Sequence, residues 1–195
     1  QEHVSFWMLC IYFFFEYVRP QSIYPVIDVL PYGQIFLGLT IITAFLDPSV
    51  KWVSSIGNKL MVLFALVIVL SGVFAFKPMA SLSNYIFFLN WLLVYFLVVC
   101  IVNTEKRLFL FICAFLLFNL KMSQHGFFSW AGRGFSFAGW GLSGSPGWFQ
   151  NSGEFSIEML IFMSLSVAFV LALKGHWGKY KKWAMYFLPI SAAFS

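Results

Sequence analysis

The side chains able to do chemistry in this chain gather around one stretch. Residues 126–152 read GFFSWAGRGFSFAGWGLSGSPGWFQNS, with Arg133 as the one cation and no acid. A guanidinium set among glycines and aromatics can hold a phosphate bidentately, and adjacent backbone N–H groups can add an anion nest. The same residue can instead snorkel to lipid headgroups. Glu158 follows Glu154 by four residues, which puts it on the same helical face about one turn deeper. An acid inside a membrane helix is costly and marks a functional position by default, as a proton acceptor or as the partner of a cation such as Arg133. A structural role for it stays open. His125 stands at the head of the stretch and can act as a base near neutral pH, or simply sit at the membrane interface.

The neighbouring polar residues admit plainer roles. Asn151 fits a helix N-cap with Glu154 three residues on, as in a capping box. Glu16 and Arg19, at i and i+3, fit an ion pair, and Arg19 can also face an anionic lipid substrate. His3 and His176 read as interfacial. The basic–aromatic run KGHWGKYKKW from Lys174 to Trp183 reads as contact with anionic lipid. Gly139 to Gly144 matches GxGxxG in form only, because a dinucleotide site needs a preceding strand and a helix opening from the loop. Cys10, Cys100 and Cys113 lie within apolar runs without metal spacing, so they read as small hydrophobes with no disulfide framework.

The elements that must position these residues follow from composition. The chain is 61% hydrophobic and 10% charged, whereas a soluble domain is roughly 45–50% apolar and about 25% charged. It reads as an all-α integral membrane protein, a polytopic bundle of about six or seven transmembrane helices. Apolar runs stand at 4–18, 33–46, 60–76, 82–102, 108–122, 155–173 and 184–195. A crossing helix needs about 20 residues, so the first, second and fifth runs must recruit their flanks. The whole of 1–195 is one transmembrane domain, with a glycine- and aromatic-rich loop at 123–153. Glycine disfavours helix, and irregular backbone is not tolerated in hydrocarbon, so the loop belongs at the surface or in a protected cavity. The start at Gln1 and the end inside an apolar run suggest part of a longer protein.

Charge sets the orientation. Lys51, Lys59, Lys106, Arg107, Lys174, Lys179, Lys181 and Lys182 fall in one set of loops, and Arg19, Lys77, Lys121 and Arg133 in the other. The richer set is cytoplasmic by the positive-inside rule, which turns the glycine-rich loop outward. The net charge of +5 is thus a topology signal, and nucleic acid is not an expected partner. Trp52, Trp130, Trp140, Trp148, Trp177 and Trp183 fall near helix ends, as interfacial tryptophans do.

Two segments carry a family likeness. FFFEYVRPQSIYP, residues 13–25, resembles the N-terminal region of the O-glycosylation ligases associated with exosortase systems, within the O-antigen ligase and polymerase superfamily. GWGLSGSPGWFQNSGEFSIE, Gly139 to Glu158, is similar to that superfamily's outward segment leading into a helix. Members often carry a G-x-x-x-N-P-N-E-like pattern there; Asn151 and Glu154 match it, and the proline is absent. The resemblance implies a bacterial inner-membrane enzyme that moves a glycan from an undecaprenyl-pyrophosphate carrier to a glycan, lipid or protein acceptor at the periplasmic face, without a metal or other cofactor. It implies arginines that hold the pyrophosphate, a role for Arg133 and Arg19, with Asn151 and Glu154 as further substrate contacts. A histidine in a later large loop activates the acceptor in that family. That loop is not in this sequence and His125 is not its equivalent, which leaves open that the base lies beyond these residues; within them Glu158 and His125 are the acid–base candidates, with Glu154 able to assist. The rival expectation is a non-catalytic transporter, channel or scaffold subunit, with the glycine-rich segment as a re-entrant gate or packing loop.

Overall fold

The computed structural model describes residues 2–76, 78–136, 141–144, 149–173, 175–176 and 178–194, apart from the side chains of Pro25, Ala80, Leu82 and Ser83. Lys77, Gly139, Trp140, Trp148, Lys174 and Trp177 lie outside the described residues, and with them the first two residues of the GxGxxG stretch. Among the described residues the regular structure is entirely helical. The helices are α1 Val4–Tyr17, the four-residue α2 Pro20–Ile23, α3 Tyr32–Leu46, α4 Ile56–Val73, α5 Pro78–Ile101, α6 Glu105–Gly132, α7 Ser152–Ala172 and α8 Lys181–Phe194.

Four of these are long and apolar enough to cross a membrane: α4, the Asn84–Ile101 part of α5, α6 and α7. By contrast α1, α3 and α8 have 14 or 15 residues, roughly 21 Å of helix against a hydrocarbon core of about 30 Å. The chain is an all-α membrane bundle, as its composition requires.

The largest difference from the sequence expectation is α6. It runs 28 residues to Gly132, so the segment 123–132 is helix and the loop begins about three turns later than expected. The reason lies at Gly126. It costs the helix about 1 kcal/mol relative to Ala, but its missing side chain is where a ring packs: a Cβ there would stand 2.6 Å from Phe155 Cζ.

The helix then stops through a Schellman turn. Phe135 N–H donates to Trp130 O at 3.1 Å and Gly134 N–H to Ala131 O at 2.9 Å. Gly134 supplies the left-handed conformation at φ +66°, and the Trp130 and Phe135 rings close the motif edge to face at 4.9 Å.

Two compact units divide the chain, the first comprising Gln1–Leu9 and Phe36–Leu108, the second Cys10–Ile35 and Phe109–Ser195. In the first, α4 and α5 form an antiparallel hairpin. Ser55 caps α4 by accepting from Asn58 N–H at 3.1 Å. Tyr95 Oη donates to the buried Asn58 Oδ1 at 2.8 Å, and the Phe64 and Phe88 rings meet edge to face at 5.7 Å. Most other α4 side chains are apolar and exposed, as suits a helix facing lipid.

In the second unit, aromatic rings at helical spacing join α1 to α6: Phe13 to Phe111, Tyr17 to Phe115 and Phe14 to Phe118. The core is Leu116, Met122, Phe155, Met159 and Phe162, with Tyr17, Phe149 and Phe187 packed against it. The buried face of α7 reads Phe155, Glu158, Met159, Phe162, Ser166 and Val170, a stripe at three- and four-residue spacing.

Candidate functional site

Asn151 caps α7 as the sequence indicates: at φ −78°, ψ 130° its Oδ1 accepts from Gly153 N–H at 2.8 Å. Glu154 sits exposed in the first turn, where a carboxylate complements the helix dipole. One turn deeper, Glu158 is 8% exposed. The shared face of the two acids therefore leads from solvent into the core.

Arg133 is exposed, but its guanidinium turns onto the protein. Nη1 donates to Gly141 O at 3.1 Å, while Nε and Nη2 lie 3.4 Å from Ser129 O and Ser129 Oγ. It thereby satisfies a carbonyl of the last helical turn and pins Gly141, whose φ of +81° needs a glycine. The expected pairing of Arg133 with Glu158 is not formed: the hydrogen-bond partners of Arg133 are Ser129 and Gly141. Three of five guanidinium N–H groups are engaged in this way.

His125 lies in α6, not in the loop. It lines a cavity of about 360 Å³ with Val18, Ser22, Ile23, Lys121, Met122 and Phe128. Lys121 is one helical turn before His125, so both project into the same space. Four apolar residues wall it. Arg19, at φ 49°, makes the left-handed corner that turns the chain from α1 into α2, and its carbonyl accepts from Ser22 N–H at 3.0 Å. Glu16 lies against Gly33, where a Cβ would fall on its carboxylate.

The six candidates thus fall at three places. Arg133, Asn151 and Glu154 belong to the loop and the start of α7, Glu158 to the core, and His125 to the cavity near the Arg19 corner. Met122, 2% exposed, belongs to both the core and the cavity lining.

The sequence reading missed Lys121 as a site residue, although its i, i−4 relation to His125 was a usable signal. It also missed Asn119, which is 0% exposed and whose amide stands near enough to the Glu158 carboxyl to donate to it.

A second polar centre was missed altogether, in the first unit. Arg107, read as a topology charge, is 5% exposed. Its Nε donates to Glu2 Oε2 at 2.9 Å, Nη1 to Ile101 O at 2.9 Å, and Nη2 lies 3.5 Å from Asp47 Oδ2. Asp47 also accepts from Ser5 Oγ at 2.6 Å, from Ser49 N–H at 2.9 Å and from Ser49 Oγ at 2.6 Å, with His3 Nδ1 3.3 Å away. Burial alone would raise the Asp47 carboxyl, but the Ser49 and Ser5 hydrogen bonds and the His3 charge outweigh it and hold it at about 2. Glu2 is likewise lowered, chiefly by its bond to Arg107 and next by Lys106. This centre ties the start of α1, the end of α3 and the α5–α6 turn together.

The class these features define is a multi-helix membrane protein with an acid, Glu158, buried in the core of its second unit and a cavity lined by Lys121 and His125 near the end of α1. No protein-family model, curated protein or solved structure matches the chain.

Proposed function

We propose that this protein takes part in lipid-linked glycan transfer, moving a glycan from an undecaprenyl-pyrophosphate carrier to an acceptor at the periplasmic face of a bacterial inner membrane. The observation that carries the reading is the cavity of about 360 Å³ in which Lys121 and His125 stand over Val18, Ile23, Met122 and Phe128. A phosphorylated isoprenoid has the same division, an anionic head on an apolar tail. Lys121 takes a phosphate oxygen and the apolar wall takes the first isoprene units. As the glycosyl bond breaks, negative charge develops on the leaving pyrophosphate, and a positioned cation lowers that barrier. His125 accepts the proton of the attacking hydroxyl. Arg133 holds the loop in shape and keeps its remaining N–H groups for substrate.

One observation favours the rival, a non-catalytic transporter, channel or scaffold. Arg133 bonds loop and helix carbonyls, as a packing residue does. Reconstitution separates the two. The full-length protein in vesicles, given an undecaprenyl-pyrophosphate glycan and an acceptor, should transfer, and His125→Ala should lower the rate about 100-fold, the lower range for loss of a general base. Lys121→Ala should raise the apparent KM for the carrier. Undiminished transfer by both variants at normal expression would remove the cavity from the reaction.

A further inference from the structure

Glu158 sits in a surrounding that offers it too few donors. Its Oε1 is buried and accepts no hydrogen bond, and the same is true of Asn119 Oδ1. The Asn119 amide is oriented by Nδ2, which donates to Phe115 O at 3.1 Å, so its oxygen cannot be exchanged for a donor without losing that bond. Glu158 shares the buried face of α7 with Phe155, Met159 and Phe162, which cluster with Leu116 and Met122; none of these carries an N–H or O–H, and Tyr17, packed against the cluster, brings a hydroxyl. From α1, Tyr17 is the titratable neighbour; from α6, Asn119 is the polar one; α8 contributes Phe187 and the loop Phe149. No salt bridge reaches Glu158 from any lysine, arginine or histidine among the described residues.

A bare carboxylate in such a place carries an uncompensated buried charge, which costs several kcal/mol. One proton removes the charge and adds the missing donor, because a protonated carboxyl has an O–H while an ionised one only accepts. A hard metal cation is a poor substitute. It takes about six or more oxygens, and the carboxyl pair with one amide oxygen falls well short.

We infer that Glu158 and Asn119 form a proton-binding site within the helix bundle, with Glu158 held as a neutral carboxylic acid and Asn119 as its positioning residue. The step is the addition of one proton to the carboxylate oxygen, with no other group gained or lost. The site stands independently of the glycan-transfer reading.

The test is infrared spectroscopy of the full chain in lipid vesicles at pH 7, with carbonyl-labelled [13C]glutamate. An isotope-shifted carboxylic-acid C=O band is expected in the wild type and is lost in Glu158→Gln, a neutral isostere. Asn119→Leu should move the band toward that of a free acid, a signature that a purely structural asparagine does not leave. Absence of the band in the wild type overturns the proposal, as does its persistence in Glu158→Gln. Should Glu158→Gln fail to fold, dicyclohexylcarbodiimide labelling of the wild type assigns the band instead. An acylurea adduct mapped to Glu158 supports the site, and adducts confined to other carboxyls overturn it.

Discussion

Replacing Arg107 with Ala gives the sharpest test of the packing. The guanidinium serves three acceptors at once: Glu2 at 2.9 Å, the Ile101 carbonyl at 2.9 Å and Asp47 at 3.5 Å. The Arg107 and Asp47 side chains are 6% and 2% exposed. Removing one partner of a buried pair costs about 3–5 kcal/mol, because the other charge is left uncompensated. Two features pull the value to the low end. Asp47 keeps its bonds from Ser5 and Ser49, and Glu2 keeps Lys106 at 3.0 Å. The expected loss is therefore about 3 kcal/mol, read as a shift in reversible denaturant unfolding in detergent micelles. Arg107→Lys should recover only part, since a point-like ammonium cannot span three acceptors as the guanidinium fork does. A double-mutant cycle with Asp47→Asn should give a coupling above about 1 kcal/mol. A loss below about 1 kcal/mol, the range of exposed pairs, or a coupling near zero would refute the reasoning.

The other expectations concern the same units. Asp47 is held at about 2 against an ordinary 3.8, so its stabilisation is complete above the unfolded value and is lost as pH falls through the folded one. The unfolding midpoint should decline between about pH 4 and about pH 2, and a curve unaltered by Asp47→Asn would contradict this. Gly126→Ala gains about 1 kcal/mol of helix propensity but forces Phe155 aside at a cost of about 1–3 kcal/mol. Calorimetry should show net destabilisation that Phe155→Leu relieves, and a raised Tm in the single variant would count against the close approach. Asn151→Ala should cost about 1 kcal/mol through loss of the α7 cap, visible as faster amide exchange in its first turn. Gly134→Ala should cost about 1–2 kcal/mol, the penalty of a left-handed backbone with a Cβ, and an unchanged Tm would argue against the Schellman stop.

What could be read from the chain alone was what local chemistry decides. Hydropathy located the helices, and the Asn151 cap depends on residues two or three apart. The end of α6 was misplaced because glycine was weighed only by propensity, while Gly126 is retained by a ring 29 positions away in sequence. Distance along the chain also hid the pairing of Arg107, which read singly as a loop charge, with Asp47. Glu158 was recognisable as an unusual acid. Its relation to Asn119 was not, because an asparagine inside an apolar run carries no sign of what it faces. Arg133 shows the converse: its isolation from acids suggested a free cation, and two backbone carbonyls, invisible in any sequence, together with the Ser129 hydroxyl took up three of its five donors.

The length of α6 has a consequence for the membrane itself. Its 28 residues make about 42 Å of helix where hydrocarbon is about 30 Å deep, so roughly 12 Å must lean or project. Membranes differ by a few Å in thickness, and each Å of mismatch costs a fraction of a kcal/mol. The Schellman turn and the loop it releases therefore ride at a height, or a tilt, that the host bilayer sets. Thickening the lipid should draw them toward the hydrocarbon and thinning it should lift them clear, so lipid composition becomes a control on how the loop meets anything dissolved in the water beyond.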